Sequence, residues 1–183
     1  MYPFPAARGE LACRIERIAY NSRLMLEELI GQLLTAHKLT LAVAESCTGG
    51  LVAHRITNVP GSSAYFLGGV VAYAYDAKQH LLGVDHDTLY RFGAVSEETA
   101  REMARGVRRA IGSDIGLSVT GIAGPGGAMP GKPVGLTWIA LSALEMERAE
   151  HFIWDGDRIA NKEQSAEAAL ELIKAYLESL QPC

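Results

Sequence analysis

Residues 40–58 read TLAVAESCTGGLVAHRITN, and their reading decides the fold. TLAVAE, an apolar run ending in an acid, has the character of a buried strand. LVAHRITN has the character of a helix, which must stop at or before Val59, because Pro60 disfavours the helical conformation in the residue preceding it. Between them, Ser46, Cys47 and Thr48 stand before Gly49 and Gly50. Strand, tight turn and helix in immediate succession mark a layered α/β domain.

The surrounding chain continues the pattern. On the amino side, Leu26, Leu29, Ile30, Leu33 and Leu34 recur at helical spacing over residues 22–36. On the carboxyl side, GGVVAYAY (68–75) reads as a second strand and DAKQHLLG (76–83) as a short helix, with Asp76 near its positive end and a closing glycine. Lys78 is thereby expected on the first turn after a strand. Ser96 is a candidate N-cap for a helix whose Ala100, Met103, Ala104, Val107 and Ile111 face the core, with Glu97 and Glu98 complementing its dipole. DIGLSV (114–119) alternates as a strand and runs into TGIAGPGGAMPGK (120–132), a glycine-rich loop too long for a hairpin turn. PVGLTWIALSAL (133–144) and ERAEHFIW (147–154) read as adjacent strands, and a last helix over about residues 161–180 sets Ala166, Leu170, Ile173, Leu177 and Leu180 on one face. Residues 1–21 are expected to be an N-terminal extension and residues 22–183 one domain.

Composition bounds the function classes. The chain has 183 residues, a net charge of -4, 49% hydrophobic and 21% charged residues, the profile of a soluble globular protein. That charge disfavours a nucleic-acid partner. No apolar run reaches the roughly 18 residues needed to cross a bilayer, and MYPFPAARGE lacks the basic-then-apolar layout of a signal peptide, so no membrane association and a cytoplasmic location are expected. Cys13, Cys47 and Cys183 are odd in number and far apart, which supports neither a disulfide framework nor a zinc site. VDHD (84–87) with His80 nearby reads as a solvated loop, and no metal is expected.

Open α/β sheets bind ligands beyond the carboxyl ends of their strands, where the three polar or glycine-rich turns gather. Ser46 there can present its hydroxyl while the N–H groups of the following residues supply oxyanion donors or a phosphate cradle. The same stretch would equally serve as a plain turn, with Ser46 or Thr48 capping the helix and the glycines reversing the chain. No histidine stands in a triad motif. Lys78, partly desolvated beside a strand, is a candidate activator, with Tyr73 able to relay or orient the proton; an exposed helix lysine and an ordinary strand tyrosine are the competing account. Cys47 ranks behind Ser46, because nothing local marks its thiol as acidic. Apolar residues near Tyr65, Phe66 and Leu67 suggest a homo-oligomer, a dimer foremost.

Seven blocks in order, AESCTGG, VPGSSAYF, VAYAYDAK, GAVSEETAREMA, VTGIAGPGG, KPVG and GDR, resemble the CinA C-terminal domain family over about Leu26 to Leu180. Stand-alone members of that family include nicotinamide-nucleotide amidohydrolases. The resemblance implies a three-layer α/β/α sandwich around a mostly parallel or mixed sheet. It also implies hydrolysis of the carboxamide of nicotinamide mononucleotide to nicotinic acid mononucleotide and ammonia, without a cofactor. Carried over by motif, the catalytic residues are Ser46, Lys78 and Tyr73. The residues implied to hold the nucleotide substrate are Thr48, Gly49, Gly50, Thr120, Gly121, Gly124, Lys132 and Arg158. Two positions depart from the family pattern: Tyr75 replaces the usual asparagine, and a second arginine downstream of GDR is absent, with Lys162 closest. An alternative implied by these departures is a catalytically silent nucleotide-binding or interaction module, and a third is a different amidase or peptidase using the same pair.

Overall fold

The computed structural model describes residues 25–180. β1 (Leu41–Glu45) is buried along its whole length and lies inside the sheet, which is why its sequence is an unbroken apolar run. β2 (Phe66–Val71) and β3 (Ile115–Gly121) flank it in parallel; β4 (Leu136–Ser142) and β5 (Glu147–Ile153) extend the sheet antiparallel, in the order β2-β1-β3-β4-β5. The expected α/β sandwich is therefore present, with a mixed sheet.

Among the described residues six α-helices cover its two faces. On one, α1 (Leu26–His37), α2 (Leu51–Thr57) and α6 (Arg158–Ser179) pack Ile30, Leu33, Val52, Ile56, Leu170 and Ile173 against Leu41, Val43, Leu117 and Ile139. On the other, α3 (Tyr75–Leu82), α4 (His86–Phe92) and α5 (Glu97–Ile111) pack Leu82, Leu89, Met103 and Val107 against the small Ala42 and Ala44. The Ser96 hydroxyl accepts from the Thr99 N–H and caps α5, as expected. A glycine sets how close α5 comes to α3: a Cβ on Gly106 would lie 1.9 Å from the Leu82 carbonyl oxygen.

Some elements differ from the sequence reading. The second strand ends at Val71, and Tyr75 already opens α3, because its partner β1 ends at Glu45, whose carbonyl accepts the last bond from the Ala72 N–H. VDHD is not a loop: Asp85 caps α4 by accepting from the Asp87 N–H, so the acidic cluster is a helix start. The last helix begins at Arg158, one turn earlier than the apolar stripe indicates, because Asp157 caps it through the Ala160 N–H. The expected extension over residues 1–21 lies outside the described residues. Among the described residues no helix is long and apolar enough to cross a membrane.

Candidate active site

The parallel strands β1, β2 and β3 end at the same edge of the sheet, where β4 starts and β5 ends. This brings together Ser46, Ala72–Lys78, Thr120–Gly124 and the start of α6. Ser46 directly follows β1, its N–H held by the Val119 carbonyl across to β3. Its Oγ lies 3.0 Å from Lys78 Nζ, which also donates to the Ala72 carbonyl at 2.7 Å. Lys78, only 1% exposed, is thus aimed by a backbone oxygen at the serine hydroxyl. Burial lowers its ammonium from 10.5 to about 8, the neighbouring Cys47 working weakly in the opposite direction. A lysine so placed carries a usable fraction of free amine near neutral pH, and the exposed-lysine account of the sequence is excluded.

Cys47, next to Ser46 in sequence, is buried in the apolar core. Burial pushes its thiol up to about 12, only partly offset by the Cys47 and Thr48 N–H groups and by Lys78. It packs beside Gly121, where a Cβ would come within 3.0 Å of the sulfur.

Neither Ser46 nor Thr48 caps α2. The N-cap is Gly50, at φ 99°, following Gly49 at φ 65°, two left-handed positions that favour glycine. The capping group is Glu45, a residue the sequence reading left unassigned: its Oε2 accepts from the Gly50 and Val52 N–H groups and its Oε1 from Ala53. The Gly50 N–H expected to face substrate is therefore taken, and Gly49 donates to the Ser46 carbonyl. Among the described residues the N–H groups of Cys47 and Thr48 donate to no oxygen, and the buried Thr48 hydroxyl has no partner. The signal for Glu45 was an acid closing an otherwise apolar strand.

The remaining expected residues divide into two groups. Arg158 joins Tyr73 and Gly124: its Nη2 donates to the Tyr73 hydroxyl and its Nη1 to the Gly124 carbonyl, each at 2.7 Å. Tyr73 is 59% exposed and makes no hydrogen bond with Ser46 or Lys78. Arg158, Gly124, Ala123 and Val134 border a cavity of about 530 Å³, which Ser46 and Lys78 do not line. Lys162, one helical turn after Arg158, brings its Nζ within 3.8 Å of the Cβ position of Gly49.

Thr120 and Lys132 instead hold the turn before α5. Thr120 Oγ1 donates to the Ala94 carbonyl at 2.6 Å, and Lys132 Nζ donates to the Phe92 carbonyl. Tyr75 joins them by accepting from the Ala94 N–H at 3.3 Å, while its ring meets Tyr90 edge-on. Of the residues expected at an oligomer contact, Tyr65 is buried in the core, whereas Leu67 faces outward.

The family model of the CinA C-terminal domain matches residues 23–177. The chain belongs to the CinA C-terminal domain family. It is 54% identical over 158 residues to a CinA-like protein of Chloroherpeton thalassium, an alignment covering 84% of this chain and 38% of that protein. With a CinA-like protein of Chlorobium limicola it shares 50% over 160 residues, covering 85% of this chain and 37% of the other. The chain thus spans little more than a third of the length of these CinA relatives. Among solved structures, competence damage-inducible protein A from Klebsiella pneumoniae superposes with a TM-score of 0.82 at 31% identity, covering 85% of this chain and 97% of that one. The competence/damage inducible protein CihA from Agrobacterium tumefaciens superposes at 0.77 with 38% identity, covering 96% of this chain and 98% of the other.

Proposed function

We propose that this CinA domain hydrolyses the carboxamide of nicotinamide mononucleotide to nicotinic acid mononucleotide and ammonia, with Ser46 as nucleophile and Lys78 as its base. The observation that carries this reading is the 3.0 Å contact between Ser46 Oγ and the buried Lys78 Nζ. A lysine lowered to about 8 is an amine in roughly a tenth of molecules at pH 7, enough to accept the serine proton as Oγ attacks the amide carbon. The Cys47 and Thr48 N–H groups receive the oxyanion. Lys78 then returns the proton to the leaving nitrogen, ammonia departs, and water, deprotonated by Lys78, releases the acid and regenerates Ser46.

The substrate phosphate is assigned to Arg158, whose partners in this structure are two neutral oxygens and which can therefore exchange them for a charged one. Tyr73 takes its assisting role when the phosphate frees it from Arg158. Lys132 and Thr120 contribute by holding the turn before α5.

The test is ammonia release from nicotinamide mononucleotide and from simple amides, with Lys78→Arg as the comparison. Arginine keeps the positive charge but cannot act as a base, so turnover by Lys78→Arg is expected to vanish. Near-normal turnover by that variant would refute the base assignment. Nucleotide binding without ammonia release by the wild type would support the silent-module reading instead.

A further inference from the structure

Glu45 is the most deeply committed acid at this edge of the sheet. It is 1% exposed, and its carboxylate forms hydrogen bonds of 2.8–3.1 Å with the N–H groups of Gly50, Val52 and Ala53. A buried carboxylate is costly unless compensated, and these donors supply the compensation. The geometry does more than end a helix. Glu45 is the last residue of β1 and Ser46 the next, so the carboxylate ties the strand end to the first turn of α2 across the intervening nucleophile turn. Within that turn Ser46 N–H is held by Val119, and Gly49 N–H by the Ser46 carbonyl. The chain from Glu45 to Gly50 is thereby fastened at both ends and in its middle, while Cys47 and Thr48 keep their N–H groups free of oxygen partners.

We propose that Glu45 is a positioning residue for the nucleophile: by filling the amino end of α2 it fixes the 46–50 turn so that Ser46 Oγ rests on Lys78 Nζ. The same carboxylate closes the start of α2 to any anion, which leaves the substrate's charged group to other parts of the site. Shape alone does not supply this. Glutamine at this position has one acceptor oxygen and would turn its NH₂ toward a backbone N–H, so it cannot satisfy all three donors.

This inference rests on Ser46 being the nucleophile, and its test separates the two ideas. The probe is a small uncharged fluorophosphonate, which needs neither the nucleotide pocket nor the amide. Ser46 Oγ forms a bond to phosphorus, fluoride leaves with the P–F electron pair, and Lys78 takes the hydroxyl proton. Labelling rates are compared among wild type, Ser46→Ala, Glu45→Gln and Arg55→Met, each corrected for its folded fraction by circular dichroism. Arg55→Met removes the ion pairs of Arg55 with Glu27 and Glu167 at the far end of α2, and serves as a stability control that leaves the turn intact. The expected result is labelling of wild type and Arg55→Met at similar rates, none of Ser46→Ala, and at least a tenfold slower rate for Glu45→Gln. Equal labelling of folded Glu45→Gln and wild type would overturn the positioning role while leaving the nucleophile standing. An unlabelled wild type would overturn the nucleophile assignment and the inference built on it. If Glu45→Gln does not fold, amide hydrogen exchange in wild type decides: protection of Gly50, Val52 and Ala53 no greater than that of solvent-facing turn amides would overturn the tie.

Discussion

Replacing Lys78 by methionine keeps an unbranched side chain of similar length at this buried position but removes the charge and the titration. Wild-type Lys78 releases its proton at about 8 when folded, whereas the unfolded chain holds it to 10.5. Between these values the unfolded state binds more protons, so wild-type stability rises with pH through this window. Below it the native state bears the full cost of a buried ammonium. A difference of about 2.5 pKa units corresponds to on the order of 3 kcal/mol, most of it recovered by pH 10. Methionine loses the bonds to Ala72 and Ser46, which sets a constant offset, but it has no proton to release. The stability of Lys78→Met relative to wild type should therefore fall by about 2 to 3 kcal/mol from pH 7 to pH 10. Urea unfolding of both proteins at a series of pH values measures this directly. The rate of wild-type ammonia release should show a limb rising toward pH 8 that is absent from the variant. A stability difference that stays constant across the pH range would refute the reasoning, because Lys78 would then titrate alike in both states and would not be the lowered amine that the mechanism needs.

Ser46→Ala should abolish ammonia release while nucleotide binding stays measurable by calorimetry, since Arg158 and its cavity are untouched; residual turnover above about one part in a thousand would argue against a serine nucleophile. Cys47→Ala should keep most activity, and the wild-type thiol, pushed up to about 12, should resist iodoacetamide in the folded state at pH 8; rapid alkylation would show a reactive cysteine. Gly106→Ala should lower stability by about 1 to 3 kcal/mol and reduce turnover as well, because the added methyl meets the Leu82 carbonyl and displaces the helix that carries Lys78; thermal unfolding with activity at matched folded fraction checks both effects.

Much of this protein can be read from local sequence, because the relevant physics is local. An unbroken apolar run places β1, and period-3.6 patterns place α1, α5 and α6; Ser96 announces its helix by a short-range cap; and Pro60 bounds α2 by sterics with its neighbour. The motif order identifies the family, and with it Ser46 and Lys78 as the pair to examine. Tertiary structure alone decides whether that pair can react. Ser46 and Lys78 are 32 residues apart, and only the parallel pairing of β1 with β2 brings them to 3.0 Å. Burial in the folded chain, invisible in a lysine's immediate sequence neighbours, lowers the amine. Tyr73 meets Arg158 across 85 residues, a bond no spacing rule anticipates. Glu45 reads locally as the polar end of a strand; it becomes the clasp of the Ser46–Gly50 turn only once the chain has reversed and the orphan N–H groups of α2 face it. Periodicity is a property of neighbours along the chain, whereas proton affinity and the satisfaction of buried donors belong to neighbours in space.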